Sequence, residues 1–295
     1  MKLKDGSGMK IGAHMSVAGG LHLAANRASD SGFNCLQLFT QSPRLWKSKL
    51  ITQKEIDLFI EEREKHKLKF VVVHAPYLPN LASPDKLILQ KSSETVLRDL
   101  KIADAINADY YVLHPGSHKK TDVDSGIDRL ANSLCKIFHK YTPNLTFLLE
   151  TMPGAGSIIG STFTELAMII NKVHEKAPDV KMGVCLDTAH IFAAGYDIRN
   201  ENELKKLVSE IDKSIGRKTI KIIHSNDSHE PLGSKKDRHN HIGKGEIGTK
   251  GFKNMMDISF FRKLPWILET PKSDDNSDIK NRKKLEKIFV TASGS

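Results

Sequence analysis

The amino-acid sequence predicts an α/β protein whose eight parallel strands close into a single (β/α)8 TIM barrel, and three observations support this. Eight short apolar runs alternate with segments of helical periodicity, which favours a parallel sheet. No long linker and no change in composition interrupts the alternation. The length of 295 residues suits such a barrel, which typically needs about 250. The active site is therefore expected at the carboxyl ends of the strands.

The eight apolar runs leave room for a helix after each predicted strand. The runs cover residues 10–17, 34–40, 69–77, 109–116, 145–154, 180–190, 219–227 and 264–271. Helical spacing of apolar residues is clear over 52–67, 164–176 and 201–215. Thr52, with Glu55 three residues later, predicts a capping box at the start of the first of these helices. Neither glycine-rich nucleotide-binding motif opens the first helix, which disfavours an open nucleotide-binding sheet.

Composition predicts a chain that stays inside the cell. Hydrophobic residues make up 39% and charged residues 27%, and no run approaches the roughly 20 apolar residues of a membrane span. The first residues lack the apolar core of a secretory signal. We expect a cytoplasmic protein, associated with the nucleoid if bacterial, with one catalytic domain over 9–295 and a disordered extension over 1–8. The net charge of +10 is compatible with a polyanionic partner, although surplus lysine also serves solubility.

The cysteines predict no cross-link and no thiolate metal site. Cys35, Cys135 and Cys185 are odd in number, far apart and without CxxC spacing. We expect them to be buried, reduced thiols.

Metal-capable side chains stand at the end of nearly every apolar run. These are His14, His74, His114, Glu150, Asp187, His224 and Glu269. His190 follows closely in the segment DTAH, and Asp237 and His239 belong to the segment DRH after the seventh run. Because the strand ends of a barrel converge on one face, residues that are far apart in sequence can meet there.

Each of these residues has an explanation that needs no metal. A single histidine at a strand end is more often a hydrogen-bonded polar residue, and a single glutamate can form a salt bridge or a cap. The repetition of this pattern at many strand ends favours a metal site, because four unpaired imidazoles after apolar stretches would be costly to bury. A shared metal cluster explains His74, His114, His190 and His224 together.

The donor set indicates the metal. Imidazole and carboxylate without thiolate suit zinc, manganese or iron, and a histidine-rich set favours zinc. Nine candidates, leaving out His14, would serve about three metals, or two with several supporting partners. Three Zn²⁺ against four carboxylates would leave a charge of about +2, which attracts a phosphodiester.

Seven segments resemble the signature motifs of the endonuclease IV family, in family order and across essentially the whole chain. They are GAHMSVAGG (12–20), HAPYLPNLAS (74–83), HPGSH (114–118), ETMPGAGSIIG (150–160), GVCLDTAHIFAAGYD (183–197), HSNDS (224–228) and DRHNHIGKGEIG (237–248). The resemblance implies one zinc on His74, His114 and Glu150. Glu150 would bridge to a second zinc on Asp187, His224 and Glu269. A third would lie on His190, Asp237 and His239.

The resemblance also implies the reaction and the partner. A monomer would hydrolyse the phosphodiester 5′ to an abasic site in double-stranded DNA, with Glu150 as a catalytic residue, and leave a 3′-hydroxyl. Zinc would activate the attacking water and stabilise the leaving 3′ oxygen. Trimming of blocked 3′ ends would use the same chemistry.

Recognition of the lesion is expected from loops around the site. By resemblance the DNA-binding residues are Arg44, Trp46, Tyr77, Leu78 and Lys244. Ordinary loop packing and solvated charge are their alternative explanations. His14 is expected to line the site rather than to bind metal, and Gly243, Gly245 and Gly248 suggest close backbone approach to DNA. Departures from the family pattern, at Ser42, Pro79 and Ser225, touch no expected ligand.

Two alternative functions remain at this stage. A sugar isomerase or epimerase also holds metals at the mouth of a similar barrel, usually one or two in a compact polar pocket. A barrel that binds DNA without cleaving it is the other alternative, but binding alone needs no complete ligand set. The additional DRH segment, the Tyr-Leu and Arg-Trp loop elements and the basic balance favour DNA over a sugar as the substrate.

Overall fold

The computed structural model describes residues 8–46 and 50–292 and contains a closed barrel of eight parallel strands. The barrel strands are β1 (Lys10–His14), β2 (Cys35–Leu38), β3 (Phe70–His74), β4 (Tyr110–Leu113), β5 (Thr146–Glu150), β6 (Met182–Asp187), β7 (Ile220–Ser225) and β10 (Pro265–Leu268). Neighbours in sequence are neighbours in the barrel, and β10 closes it by pairing with both β7 and β1. The predicted (β/α)8 fold is confirmed.

Helices surround the barrel and connect its strands. They are α1 (Leu21–Asp30), α2 (Gln53–Lys65), α3 (Lys86–Ala105), α4 (Val123–Lys140), α5 (Phe163–His174), α6 (Thr188–Ala194), α7 (Glu201–Ser214), α8 (Gly248–Asp257), α9 (Ser259–Arg262) and α10 (Ser277–Thr291). The predicted capping box starts α2, because Glu55 N donates to Thr52 Oγ1 at 3.3 Å and Thr52 N donates to Glu55 Oε2 at 2.9 Å. Among the described helices, none has the length and apolarity to cross a membrane.

One element of the structure was not predicted from the sequence. A short antiparallel pair, β8 (Asp227–Ser228) with β9 (His239–Asn240), follows β7, and strands of two residues are too short to show an alternating pattern. The expected extension over 1–8 falls, apart from Gly8, outside the described residues. All three cysteines are buried and free of disulfide bonds, as predicted.

One layer of buried side chains fills the barrel interior below the carboxyl ends of the strands. Seven strands each contribute one apolar residue, namely Cys35, Val72, Val112, Leu148, Cys185, Ile222 and Ile267. The eighth strand, β1, contributes Gly12, where a Cβ atom would lie 2.6 Å from the backbone oxygen of Cys35. This apolar layer fills the barrel below the next set of inward-facing residues.

A buried carboxylate outside the barrel links α3 to the segment after β2. Asp99 accepts hydrogen bonds from Thr40 Oγ1 at 3.0 Å and from Gln41 Nε2 at 3.3 Å. Burial raises the pKa of Asp99 to about 7, and this outweighs the lowering by Thr40 and the other neighbours. The folded protein therefore holds a proton on Asp99 at pH values where the unfolded chain has lost it.

This difference predicts a pH dependence of stability. Between about pH 4 and pH 7 the folded state binds the extra proton, so the free energy of unfolding falls as pH rises, by at most about 1.4 kcal/mol per pH unit. Asp99→Asn should remove this dependence on pH. Above pH 7 the free energy of unfolding of the variant should be higher than that of the wild type. Denaturant unfolding of both proteins from pH 4 to pH 8 measures it. Parallel profiles would contradict a raised pKa at Asp99.

Candidate metal centre

The metal-capable side chains form the next layer of the barrel interior. Successive residues of a strand point to opposite faces, so a residue two positions after the interior layer again points inward. Two positions after the eight interior residues stand His14, Gln37, His74, His114, Glu150, Asp187, His224 and Glu269. Seven of these eight were predicted as candidates from the sequence. The period of the strand therefore places residues from all eight strands in one polar layer.

Glu150 lies at the centre of this layer and is completely buried. Its Oε2 atom lies 3.1 Å from His74 Nε2 and 3.1 Å from His114 Nε2. Its Oε1 atom lies 3.0 Å from His224 Nδ1. The two carboxylate oxygens thus face two different groups of imidazoles, as a bridging ligand would require.

A second group surrounds His224. Its Nδ1 atom lies 3.3 Å from Glu269 Oε2 and 4.0 Å from Asp187 Oδ2, in addition to its contact with Glu150. Potential ligand atoms of Glu150, Asp187, His224 and Glu269 lie within 4.8 Å of one another. This is the set expected by resemblance for the second metal.

A third group lies at the mouth of the barrel. Asp237 Oδ2 is 3.2 Å from His190 Nε2, and Asp237 Oδ1 is 3.2 Å from His239 Nε2. Asp187 also approaches this group, with Oδ2 at 3.7 Å from His239 Nε2. Neither contact with Asp237 has the geometry of a hydrogen bond, so the buried Nε2 atoms of His190 and His239 have no hydrogen-bond partner. Buried polar atoms without a partner are rare, and a metal ion would satisfy both.

The Nδ1 atom of three of the five imidazoles is held by a backbone carbonyl oxygen. The Nδ1 atom of His74 faces the carbonyl oxygen of Ala75 at 2.6 Å, and that of His190 faces Thr151 O at 2.8 Å. His239 Nδ1 faces Glu269 O at 3.2 Å. A carbonyl oxygen only accepts, so each Nδ1 carries the proton and each Nε2 remains free to bind metal.

The charged groups of the cluster favour the binding of cations. Burial by itself would raise the pKa of Glu150, but His224 and His114 outweigh it and hold the pKa well below its usual range. Burial also opposes the shift at His239, yet Asp187 and Asp237 raise its pKa to about 9. Four carboxylates packed among five imidazoles favour bound cations over isolated charges. The donor set, the unpartnered nitrogens and the charge fit divalent metal ions.

Of the residues expected to contact DNA, Tyr77 lies against the metal-capable cluster. Tyr77 is 61% exposed, and its ring packs against Phe39 at 5.4 Å and His114 at 6.2 Å between centroids. Tyr77 N donates to Pro43 O at 3.2 Å, which joins its loop to the segment with Arg44. Arg44 and Lys244 are exposed, and Trp46 and Leu78 are half-buried. Tyr77 therefore stands beside the metal-capable cluster, and its backbone contact brings the segment with Arg44 next to the same loop.

Sequence reasoning missed two buried residues of the site. Gln37 is the eighth member of the polar layer, and applying the two-residue period to β2 would have found it. Asp227 accepts hydrogen bonds from the backbone of the 243–248 segment, and no local pattern announces such a contact. His14 also belongs to the polar layer, with Nδ1 at 3.0 Å from Gln37 Nε2.

The chain is similar to known proteins over most of its length. Residues 25–288 match the family model described as a xylose isomerase-like TIM barrel. A Halothermothrix orenii protein named "Probable endonuclease 4" is 45% identical over 264 residues, covering 90% of this chain and 94% of that protein. Its Persephonella marina namesake is 41% identical over 285 residues, covering 96% and 98%.

Solved structures agree with the sequence matches. The crystal structure of endonuclease IV from Thermus thermophilus has a TM-score of 0.84 at 29% identity, covering 96% of this chain and all of that chain. A D-tagatose 3-epimerase-like protein has a TM-score of 0.72 at 20% identity over 96% of this chain and 98% of its own. The second likeness shows the shared fold alone.

Proposed function

The chain belongs to the endonuclease IV family of xylose isomerase-like barrels, and from this premise we propose that it is a DNA-repair endonuclease. It hydrolyses the phosphodiester 5′ to an abasic site and leaves a 3′-hydroxyl. The observation that carries the proposal is the cluster of nine side chains around Glu150. Four carboxylates and five imidazoles in three groups are more than a single metal can use.

We propose that three zinc ions occupy the three groups. Bound there, they supply an activated water and positive charge for phosphodiester hydrolysis. Glu150 shares one oxygen with His74 and His114 and directs the other to His224, which fixes two groups relative to one another. Asp237 lies in the loop after β8 and His239 begins the short strand β9, so the third group depends on a segment outside the barrel strands.

We propose that exposed and half-buried loop residues recognise the lesion. An abasic nucleotide is already unstacked, so turning it into the barrel costs less free energy than flipping a paired base. Tyr77 and Leu78 would fill the gap left by the missing base, and Arg44 would contact the distorted backbone. Lys244 would meet phosphate across the opening. The partner is duplex DNA inside the cell, bound by one copy of this chain.

Tyr77→Ala should weaken the preference of the protein for abasic over intact duplex. The change removes an exposed ring that packs on Phe39 and stands beside His114, so KM for abasic duplex should rise roughly tenfold, a loss of about 1.4 kcal/mol. The chemical step should slow much less. Steady-state and single-turnover nicking measure the two effects, with Tyr77→Phe as the variant that keeps the ring. Unchanged preference for the lesion would exclude an insertion role for Tyr77.

Trimming of blocked 3′ ends is a second proposed activity of the same centre. A 3′-phosphate or 3′-sugar fragment presents the same phosphate ester chemistry to the same ligand groups. The two activities should therefore rise and fall together when zinc is removed and restored.

The proposal is tested by nicking of an oligonucleotide duplex with one abasic site, with metal content measured on the same sample. Nicking 5′ to the lesion, no nicking of the intact duplex and several zinc ions per chain are expected. A sugar isomerase would interconvert ketoses and aldoses and leave the abasic duplex intact. That result would overturn the proposal.

A further inference from the structure

Gln37 belongs to the polar layer around Glu150, and the proposed function so far gives it no role. Its side chain is completely buried in β2. The amide nitrogen Nε2 lies 2.5 Å from Glu269 Oε1 and 3.0 Å from His14 Nδ1. The amide oxygen Oε1 lies 2.8 Å from His224 Nε2. Both protons and the oxygen of the amide are used.

These contacts fix the orientation of the amide. The carboxylate of Glu269 can only accept, so the NH2 end of Gln37 must face it and the oxygen must face His224. An amide oxygen can only accept as well. His224 therefore carries a proton on Nε2, and its Nδ1 is the nitrogen that faces Glu150 and Glu269.

His224 is held differently from the other imidazoles of the cluster. His74, His190 and His239 each donate from Nδ1 to a backbone carbonyl, which no side-chain substitution can remove. His224 alone among these four depends on a side chain, and it presents the opposite nitrogen to the carboxylates. Among the hydrogen bonds that these four histidines make away from the carboxylates, the bond from His224 Nε2 to Gln37 is thus the one that ends on an amide side chain.

We propose that Gln37 is a positioning residue that fixes His224 to bind a divalent metal ion through Nδ1, together with Glu150 and Glu269. Hydrogen bonds to the non-ligating nitrogen orient a histidine ligand and raise its basicity. Gln37 also holds Glu269 through Oε1, which leaves Oε2 directed towards His224. The inference rests on the metal-binding part of the proposed function and not on DNA as the substrate.

The test compares zinc binding by Gln37→Met and by the wild type. Methionine keeps the length and fills the buried space but neither donates to Glu269 nor accepts from His224. Gln41→Met is the matched control, since Gln41 is also buried but hydrogen-bonds Asp99 and Arg98 instead. Zinc content is measured after dialysis against a competing chelator, and kcat and KM are measured as free zinc is raised.

We expect Gln37→Met to bind one zinc per chain roughly 10- to 100-fold more weakly, with the other zinc ions retained. Raising free zinc should restore both the content and kcat, with KM for the duplex unchanged. Gln41→Met should keep the wild-type zinc content.

Three results would count against these ideas. Equal zinc affinity in Gln37→Met and the wild type would overturn the positioning role. A loss that added zinc does not restore, with a lowered unfolding temperature, would overturn it too and indicate a structural role. A wild type that binds no metal while still nicking abasic DNA would overturn the metal centre itself and with it this inference.

Discussion

Glu150→Gln is expected to abolish nicking while duplex binding survives. Glu150 offers one oxygen to His74 and His114 and the other to His224, and an amide can present only one acceptor oxygen. The variant therefore loses the connection between the first and second groups. We expect kcat to fall by roughly 10³-fold or more, about 4 kcal/mol in transition-state stabilisation, and zinc content to fall with it. Single-turnover nicking and metal analysis on one sample measure both.

Duplex binding should survive because the side chains proposed to contact DNA are exposed or half-buried, whereas Glu150 is buried. Among the described residues, the hydrogen bonds and ion pairs of Glu150 go to histidines and not to Arg44, Tyr77 or Lys244. Asp104→Asn is a suitable control, because Asp104 accepts from Leu145 N just before β5 begins, at the opposite end of the barrel from Glu150. Nicking by Glu150→Gln at the wild-type rate would exclude a bridging role for Glu150.

The barrel and most of the cluster could be predicted because both depend on local periodicity. Apolar runs of strand length that alternate with helical segments define eight units, and each strand end is visible in the sequence. The strand period then decides which side chains point inward. His74 and Val72 face the interior for the same geometric reason, and no tertiary contact is needed to see it.

The details of the site were less predictable because they depend on contacts across the barrel. Gln37 was missed since glutamine is not a metal ligand of choice, and its role exists only because His224 and Glu269 lie opposite. The glycines after β9 were read as positions of close approach to DNA. At Gly245 the structure shows close approach to protein, because a Cβ atom there would lie 2.6 Å from Asp227 Oδ1. Approach to DNA stays a prediction.

Asp227→Ala should detach the segment that carries Lys244. The buried carboxylate of Asp227 accepts from Gly243 N at 2.8 Å, Ile247 N at 2.9 Å and Gly248 N at 3.2 Å, as well as from the next residue of the chain. No other side chain in the described ranges 8–46 and 50–292 is shown to hold these amides. Their loss should lower the free energy of unfolding by roughly 3–5 kcal/mol, because buried donors without acceptors are costly.

The same change should act on substrate binding more than on chemistry elsewhere in the centre. Asp227 pairs with Asn240 in the β8–β9 ladder, so the segment that begins at His239 should loosen as well. We expect KM for abasic duplex to rise at least tenfold, about 1.4 kcal/mol, and hydrogen exchange at Gly243, Ile247 and Gly248 to accelerate. Nicking kinetics at several DNA concentrations and exchange mass spectrometry measure these effects.

Asp227→Asn separates the hydrogen bonds of the carboxylate from its volume. The amide keeps an acceptor for part of the segment but turns an NH2 group towards the remaining N–H donors. Stability and exchange rates should therefore lie between those of the wild type and Asp227→Ala. Exchange at the three amides that stays slow in both variants would show that the glycine-rich segment holds its shape without Asp227. In that case the close fit of Gly245 against the β8 backbone, where a Cβ atom would collide with the carbonyl oxygen of Ser228, would have to fix it instead.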